Sequence, residues 1–275
     1  MKMIMLGTGN ATVTQCYNTC FVLQENDRYF LVDGGGGNGL LHQLEAAHLN
    51  WQDMRTIFVT HKHVDHLLGI LWMVRMICQN MSRGNYEGEA VIYGHEEGIR
   101  LIRSMSEMLF AKKEVQYLDE KLHLIPVADG EEKEILGRKV TFFDIQSTKA
   151  KQFGFCMDLG NGEKLTCCGD EPYKECEEKY ARGSKWLLHE AFCLYGQADI
   201  FKPYEKHHST VKDACELAEK EHLYYVHPTS DRYTVGGQGT ISLEILDQCP
   251  QVEQIVVPIG GGGLITGIAL TMKTL

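Results

Sequence analysis

Short, nearly continuous apolar runs bounded by turn residues dominate the first third of the chain. They predict strands at Lys2–Leu6, Cys20–Leu23 and Tyr29–Val32, followed by a glycine turn over Asp33–Gly37. Apolar spacing then becomes helical at about Leu40–His48. A further buried strand, Thr56–Thr60, runs into the helical stretch that begins Leu67-Leu-Gly-Ile. Ala90–Tyr93 reads as a strand and Glu96–Leu109 as an amphipathic helix. Strands follow at Leu122–Pro126, Lys139–Ile145, Phe153–Asp158 and Lys164–Cys168. A helix near Tyr173–Ala181 leads to a strand at Trp186–His189. Thr210–Glu221 is a helix that Ser209 or Thr210 can cap, and Leu223–Val226 reads as one more strand. Strands then helices, repeated in two halves, predict an α/β (α+β) fold with two sheets face to face and helices outside, an αββα sandwich.

The chemistry sits at the ends of these runs. His61-Lys-His63-Val-Asp65-His66 follows the Thr56–Thr60 strand directly. In extended chain His61 and His63 point the same way and can hold one metal. Asp65 and His66, at the start of the next helix, can hold a second. Imidazole with carboxylate suits Zn²⁺, with Mn²⁺ or Fe as alternatives. Asp33, Asp170, His189, Glu190 and His227 each end another strand-like run. An aspartate after a strand is by itself most often a turn residue or a helix cap. Their common placement beside the histidine cluster is what points to a site.

Composition narrows the class. The chain has 275 residues, 44% hydrophobic and 23% charged, as in a folded soluble protein. No apolar stretch is long enough to span a membrane, and the N-terminus is too short in apolar residues to be a signal peptide. Ten cysteines without a C-x-x-C pair or an export signal read as reduced thiols in a cytoplasm. A net charge of −10, with no basic run longer than Lys112-Lys113, argues against a large nucleic-acid footprint. It leaves room for a small phosphodiester reaching the metals.

These motifs resemble the metallo-β-lactamase fold superfamily, and more closely its ribonuclease Z-like branch. Met3-Ile-Met-Leu-Gly-Thr-Gly9 looks like the branch's opening strand and turn. Asn18-Thr19 with Tyr29-Phe-Leu-Val-Asp33-Gly34 is similar to its first motif, and His61 to His66 to its second. Cys168-Gly-Asp170 looks like the bridging-aspartate motif, and His189-Glu190-Ala191 with His208-Ser209-Thr210 like the branch's paired HEAT and HST elements. His227 falls where a last metal-binding histidine is expected. The resemblance spans about residues 1–227 and implies a hydrolase with two Zn sites built from His61, His63, Asp65, His66, Asp170 and His227. It also implies a shared water of lowered pKa, with Asp65 as its base. Glu190 would keep His208 protonated, so that His208 gives a proton to the leaving oxygen.

Three departures qualify that picture. The family places a metal-binding histidine just before its aromatic-Gly-aromatic strand, here Phe153-Gly-Phe155, whereas this chain has Gln146 there. An amide oxygen is a poorer zinc ligand than imidazole, so one of the two sites is expected to be weakened. Only Met157–Gly169 separates that strand from Asp170, which leaves no room for the basic arm of tRNA-processing members and speaks against extensive tRNA binding. Finally, the tail from residue 228 to 275 resembles a fragment of threonine dehydratase, of pyridoxal-phosphate fold type II. It carries the tetraglycine Gly260–Gly263 but lacks the domain that supplies the Schiff-base lysine. This predicts a domain over 1–227 and a helix–strand–helix tail over 228–275, which either completes the fold or is a fusion remnant. The expected partner is a small phosphodiester or nucleotide, with homodimerisation left open and no membrane. Two other readings remain: hydrolysis of another ester, thioester or lactam bond, or a metal-depleted, non-catalytic homologue.

Overall fold

The computed structural model describes residues 1–226, 231–257 and 262–274. Its strands are β1 (Lys2–Gly7), β2 (Cys20–Glu25), β3 (Arg28–Val32), β4 (Thr56–Val59), β5 (Ala90–Gly94), β6 (Leu122–Pro126), β7 (Glu132–Ile135), β8 (Arg138–Asp144), β9 (Phe153–Gly160), β10 (Glu163–Cys167) and β11 (Trp186–Leu188). The helices are α1 (Gly39–Ala46), α2 (Val64–Arg83), α3 (Glu96–Leu109), α4 (Lys112–Val115), α5 (Glu178–Ala181), α6 (Ala198–Phe201), α7 (Val211–Lys220), α8 (Arg232–Gln248) and α9 (Gly263–Thr274). The chain divides into two compact units, Met1–Glu216 and Leu217–Leu275, at a point within α7.

The first unit is the expected two-sheet sandwich. One sheet has the order β1-β2-β3-β4-β5-β6 and the other β11-β10-β9-β8-β7. In the first, β1 to β3 are antiparallel and β3 to β6 parallel; in the second only β10 and β11 are parallel. Alternation along the strands sends Phe21, Leu23, Phe30 and Phe58 inward against Phe142, Phe155 and Met157 of the opposing sheet. Phe30 and Phe58 meet Phe155 edge-on, with ring centroids 5.5 and 5.9 Å apart. The other face of the first sheet, through Val22, Leu31, Ile57 and Ile92, packs on Ile70, Met73, Val74 and Ile77 of α2 and on Ile99 and Ile102 of α3. On the far side of the second sheet, Phe143 stacks on Tyr180 at 4.1 Å. The αββα layering therefore follows from which face of each strand is apolar.

Several elements differ from the sequence reading. β7 was not expected, because Glu-Lys-Glu-Ile is too polar to read as a strand. It lies at a sheet edge, where charged side chains are favoured. The helix expected at Tyr173–Ala181 reduces to a 3₁₀ turn, Glu175–Glu177, and the single turn of α5. Leu223–Val226 forms no strand, and neither does the described stretch between α8 and α9. No strand among the described residues pairs with either segment, and an unpaired strand would leave its backbone groups unsatisfied. Beyond the end of α7, the described residues of the second unit form the helices α8 and α9. Gly239 and Gly267 let α8 and α9 approach so closely that a Cβ on Gly267 would meet the Val235 carbonyl at 2.4 Å.

Candidate metal centre

The parallel neighbours β3 and β4, and β10 and β11, end on the same side of the sandwich, and their C-terminal ends carry the chemistry. Asp33 follows β3, Thr60 to His66 follow β4, Gly169 and Asp170 follow β10, and His189 and Glu190 follow β11. α2 starts within the motif: His63 is its N-cap residue and Asp65 lies in its first turn. The helix can sit this close because two glycines meet. Gly69 N donates to the Gly35 carbonyl at 2.9 Å and Gly34 N to the His66 carbonyl at 2.8 Å. A Cβ on Gly69 would lie 1.7 Å from the Gly34 oxygen.

That contact puts Asp33 beneath the cluster, a role the sequence alone did not assign. Its backbone is left-handed (φ 57°), a region that Asp tolerates better than most residues. Asp33 Oδ1 accepts from Thr60 N at 2.8 Å. Its Oδ2 accepts from Thr60 Oγ1 at 2.8 Å and from His66 Nδ1 at 2.7 Å. The Thr60 hydroxyl gives its proton to Asp33, so His61 Nδ1 donates to Thr60 Oγ1 at 3.0 Å. One buried carboxylate thereby makes Nδ1 the hydrogen-bonding donor of both histidines and turns both Nε2 atoms toward the cluster.

The donors converge as a metal shell requires. His66 Nε2 lies 3.6 Å from Asp65 Oδ2 and 3.5 Å from Asp170 Oδ2. Ligands about 2.0–2.1 Å from a tetrahedral metal are about 3.4 Å apart, so these spacings match one edge of a shell. His61 Nε2 and His63 Nδ1 face each other at 2.8 Å. Ligand atoms of His61, His66 and Asp170 all lie within 4.8 Å of one another. This donor set fits a divalent metal, and imidazole with carboxylate suits Zn²⁺, Mn²⁺ and Fe alike.

Electrostatics follow burial. Burial pushes the His61 pKa well below its ordinary value, reinforced by His66 and His63, which keeps its lone pair free. Burial likewise lowers His63. Burial also disfavours a charged His66, but the Asp33 and Asp170 carboxylates outweigh it and hold its pKa well up. Burial would raise Asp170, yet the hydrogen bond and charge of His66 leave it lowered.

Across a cavity of about 720 Å³ stands the second wall. Glu190 Oε1 accepts from Ser209 N at 2.5 Å, and Ser209 Oγ donates to the Glu190 carbonyl at 2.9 Å. These bonds pin the segment after β11 against the one before α7. They set Glu190 Oε2 3.5 Å from His208 Nδ1. Phe192 stacks on the His208 ring at 5.0 Å, and the His208 pKa is raised, chiefly by Glu190. His189 is turned to a structural task, accepting from Tyr173 N through Nε2 at 3.1 Å.

His61, His63, Asp65, His66, Asp170, Glu190 and His208 thus lie around one cavity or directly beneath it. His227 lies outside the described residues. Gln146 does not line the cavity: it follows β8 with φ 54°, its side chain is exposed, and its carbonyl accepts from Lys174 Nζ at 3.0 Å. Lys149, three residues on, does line it, and nothing in its local sequence signals that.

Two stacked mixed sheets with a His/Asp cluster at the strand ends define a metallo-β-lactamase fold. Human tRNase Z, short form, superposes with a TM-score of 0.62 at 22% identity, covering 81% of this chain and 89% of that one. The metallo-beta-lactamase fold protein YhfI from Bacillus subtilis gives a TM-score of 0.63 at 16% identity, covering 80% and 82%. The family model for the anti-Pycsar protein Apyc1 matches residues 1–233, and the chain belongs to that family. A second model, for pyridoxal-phosphate dependent enzymes, matches residues 192–275. L-threonine ammonia-lyase from Thermotoga maritima is 47% identical over 62 residues, 22% of this chain and 16% of that protein. The chain therefore spans only a small part of the curated relatives it matches.

Proposed function

We propose that this protein is a metal-dependent hydrolase of small phosphodiesters, with a nucleotide as the fitting substrate class. The observation that carries this reading is the pairing of two walls on one cavity: Asp65, His66 and Asp170 on one side, Glu190 and His208 on the other. His61, His63, Asp65, His66 and Asp170 would hold the metal. When bound there, a divalent metal lowers the pKa of water and polarises a phosphoryl oxygen.

The protein's own groups supply the rest. Asp33 keeps the histidine lone pairs aimed inward, and Asp65 orients the attacking water and takes up its proton. Glu190 favours the protonated form of His208, whose Nε2 faces the leaving oxygen while Phe192 limits the ring's rotation. An alkoxide leaves poorly without a proton, so a positioned imidazolium suits a phosphodiester better than an activated ester. The acidic balance of the chain supports a small substrate over a long tRNA. Membership of the family described as anti-Pycsar is compatible with this chemistry. No helix among the described residues is long and apolar enough to cross a membrane.

The exposed Gln146 supports a narrower second reading, in which the His61–His63 pair lacks a third imidazole and holds its metal weakly. One experiment separates the readings. Elemental analysis of the protein is combined with a screen of bis(p-nitrophenyl) phosphate against p-nitrophenyl acetate at defined Zn²⁺ and Mn²⁺. Preferential phosphodiester turnover is expected. Acetate turnover alone favours another ester class, and metal uptake without any turnover favours a non-catalytic protein.

A further inference from the structure

Close to the His61–His63 pair, the cavity carries an ammonium group. The loop after β8 is tied down on several sides. Lys174 Nζ donates to the Gln146 carbonyl at 3.0 Å, and the buried Glu171 accepts from Ser147 Oγ at 2.5 Å and from Lys174 Nζ at 2.6 Å. With Gln146 turned to solvent, the next turn of chain brings Lys149 to the cavity wall beside His63, Asp170 and His208. Lys149 Nζ donates to the Lys206 carbonyl. Among the described residues no carboxylate lies within ion-pair distance of it, whereas its neighbours Lys151 and Lys174 are paired with Asp144 and Glu171. Its charge is felt at His61, His63 and His208, each made a poorer cation by it. An ammonium has three donors, and the Lys206 carbonyl uses one. In an acidic chain, a lysine left without a counter-ion at a cavity of this kind leaves two donors and a full charge for a bound anion.

We propose that Lys149 is the phosphate-binding residue of this cavity: its ammonium holds a non-bridging oxygen of a phosphate group next to the His61–His63 pair. The inference rests on the phosphodiester reading above and adds to it where the anion sits. The same carbonyl bond to Lys206 orients the ammonium, and it ties this loop to the segment that carries His208.

The test is calorimetric titration of inorganic phosphate into the full chain and its Lys149→Gln and Lys149→Arg variants. Metal content is measured on each sample, and kcat and KM on a small phosphodiester. Lys149→Gln is expected to weaken phosphate binding and raise KM by about 10- to 100-fold, the range for a lost hydrogen bond from a charged group. Metal content should stay unchanged, and Lys149→Arg should recover most of the loss. Unchanged phosphate affinity in Lys149→Gln, or no phosphate binding by the intact chain, overturns the proposal. A fall in kcat with KM and phosphate affinity unchanged also overturns it, because Lys149 would then act only by positioning the His208 segment. If the intact chain turns over no phosphodiester yet loses phosphate on Lys149→Gln, the functional reading fails and the phosphate site stands.

Discussion

Asp33→Asn isolates the support beneath the metal cluster from the ligands themselves. The two side chains have the same shape, and asparagine tolerates the left-handed backbone at this position, so the change acts on protons and charge. Asp33 is only 4% exposed and serves three donors: Thr60 N, Thr60 Oγ1 and His66 Nδ1. Asparagine keeps an acceptor for Thr60 N. Its amide nitrogen, however, replaces the oxygen that received both the hydroxyl and the imidazole. His66 then does best by moving its proton to Nε2, the atom that faces Asp65 and Asp170 and whose lone pair a metal needs. Outer-shell changes of this kind typically cost about 10- to 100-fold in metal affinity, equivalent to about 1.4–2.7 kcal/mol. Two charge-assisted bonds are lost as well, each worth about 1.5–3 kcal/mol, so the metal-free protein should also lose about 2–4 kcal/mol of stability after partial relaxation. A chelator-competition titration with Zn²⁺ near neutral pH reads the first effect, and thermal melts without metal read the second. A folded Asp33→Asn protein whose Zn²⁺ affinity stays within about threefold of the parent would refute the role of Asp33 as an outer-shell support.

Gly69→Ala forces a methyl group against the Gly34 carbonyl, so α2 must move and carry Asp65 and His66 with it. A loss of about 1–3 kcal/mol in denaturant unfolding, with weakened metal binding, is expected, and an unchanged midpoint would contradict the close approach. Elemental analysis of protein purified without chelators should give fewer than two metals per chain. Because the Gln146 side chain is exposed and does not line the cavity, Gln146→His alone should leave that figure unchanged. Glu177 is fully buried, and burial outweighs its contacts with Cys168 and Lys174 and pushes its pKa from 4.5 up to about 8. The folded state therefore holds its proton where the unfolded chain has released it. The stability this gives is complete below about pH 4.5 and is lost as pH rises through about 8. Glu177→Gln should melt higher than the parent at alkaline pH and show little difference at acid pH, and equal melting at both would contradict this.

Much of the sandwich and of the site could be read from the sequence because their signals are local. The β4 run, the His61 to His66 spacing and the strand-end placement of Asp170 and Glu190 each occupy a few consecutive residues. The rest depends on contacts distant along the chain. Asp33 and His66 are 33 residues apart, and their bond exists only because two glycines let α2 reach the turn after β3. Lys149 looks like any exposed lysine until the Ser147–Glu171 and Lys149–Lys206 bonds place it at the cavity. Leu223–Val226 misled in the opposite direction, since apolar content suggests a strand but cannot supply its partner.

Leaving-group dependence reads the division of labour between the metal wall and His208 most directly. The measurement compares kcat for a phosphodiester with an alkyl leaving group and for one with p-nitrophenolate, in the parent and in His208→Ala. The account predicts a loss of about 10²–10⁴-fold for the alkyl substrate and a much smaller one for p-nitrophenolate, which departs without a proton. The parent's alkyl rate should also fall as pH rises through the raised pKa of His208, and this limb should vanish in the variant. Equal losses for both substrates, or no loss for either, would contradict the assignment of His208 as the leaving-group acid.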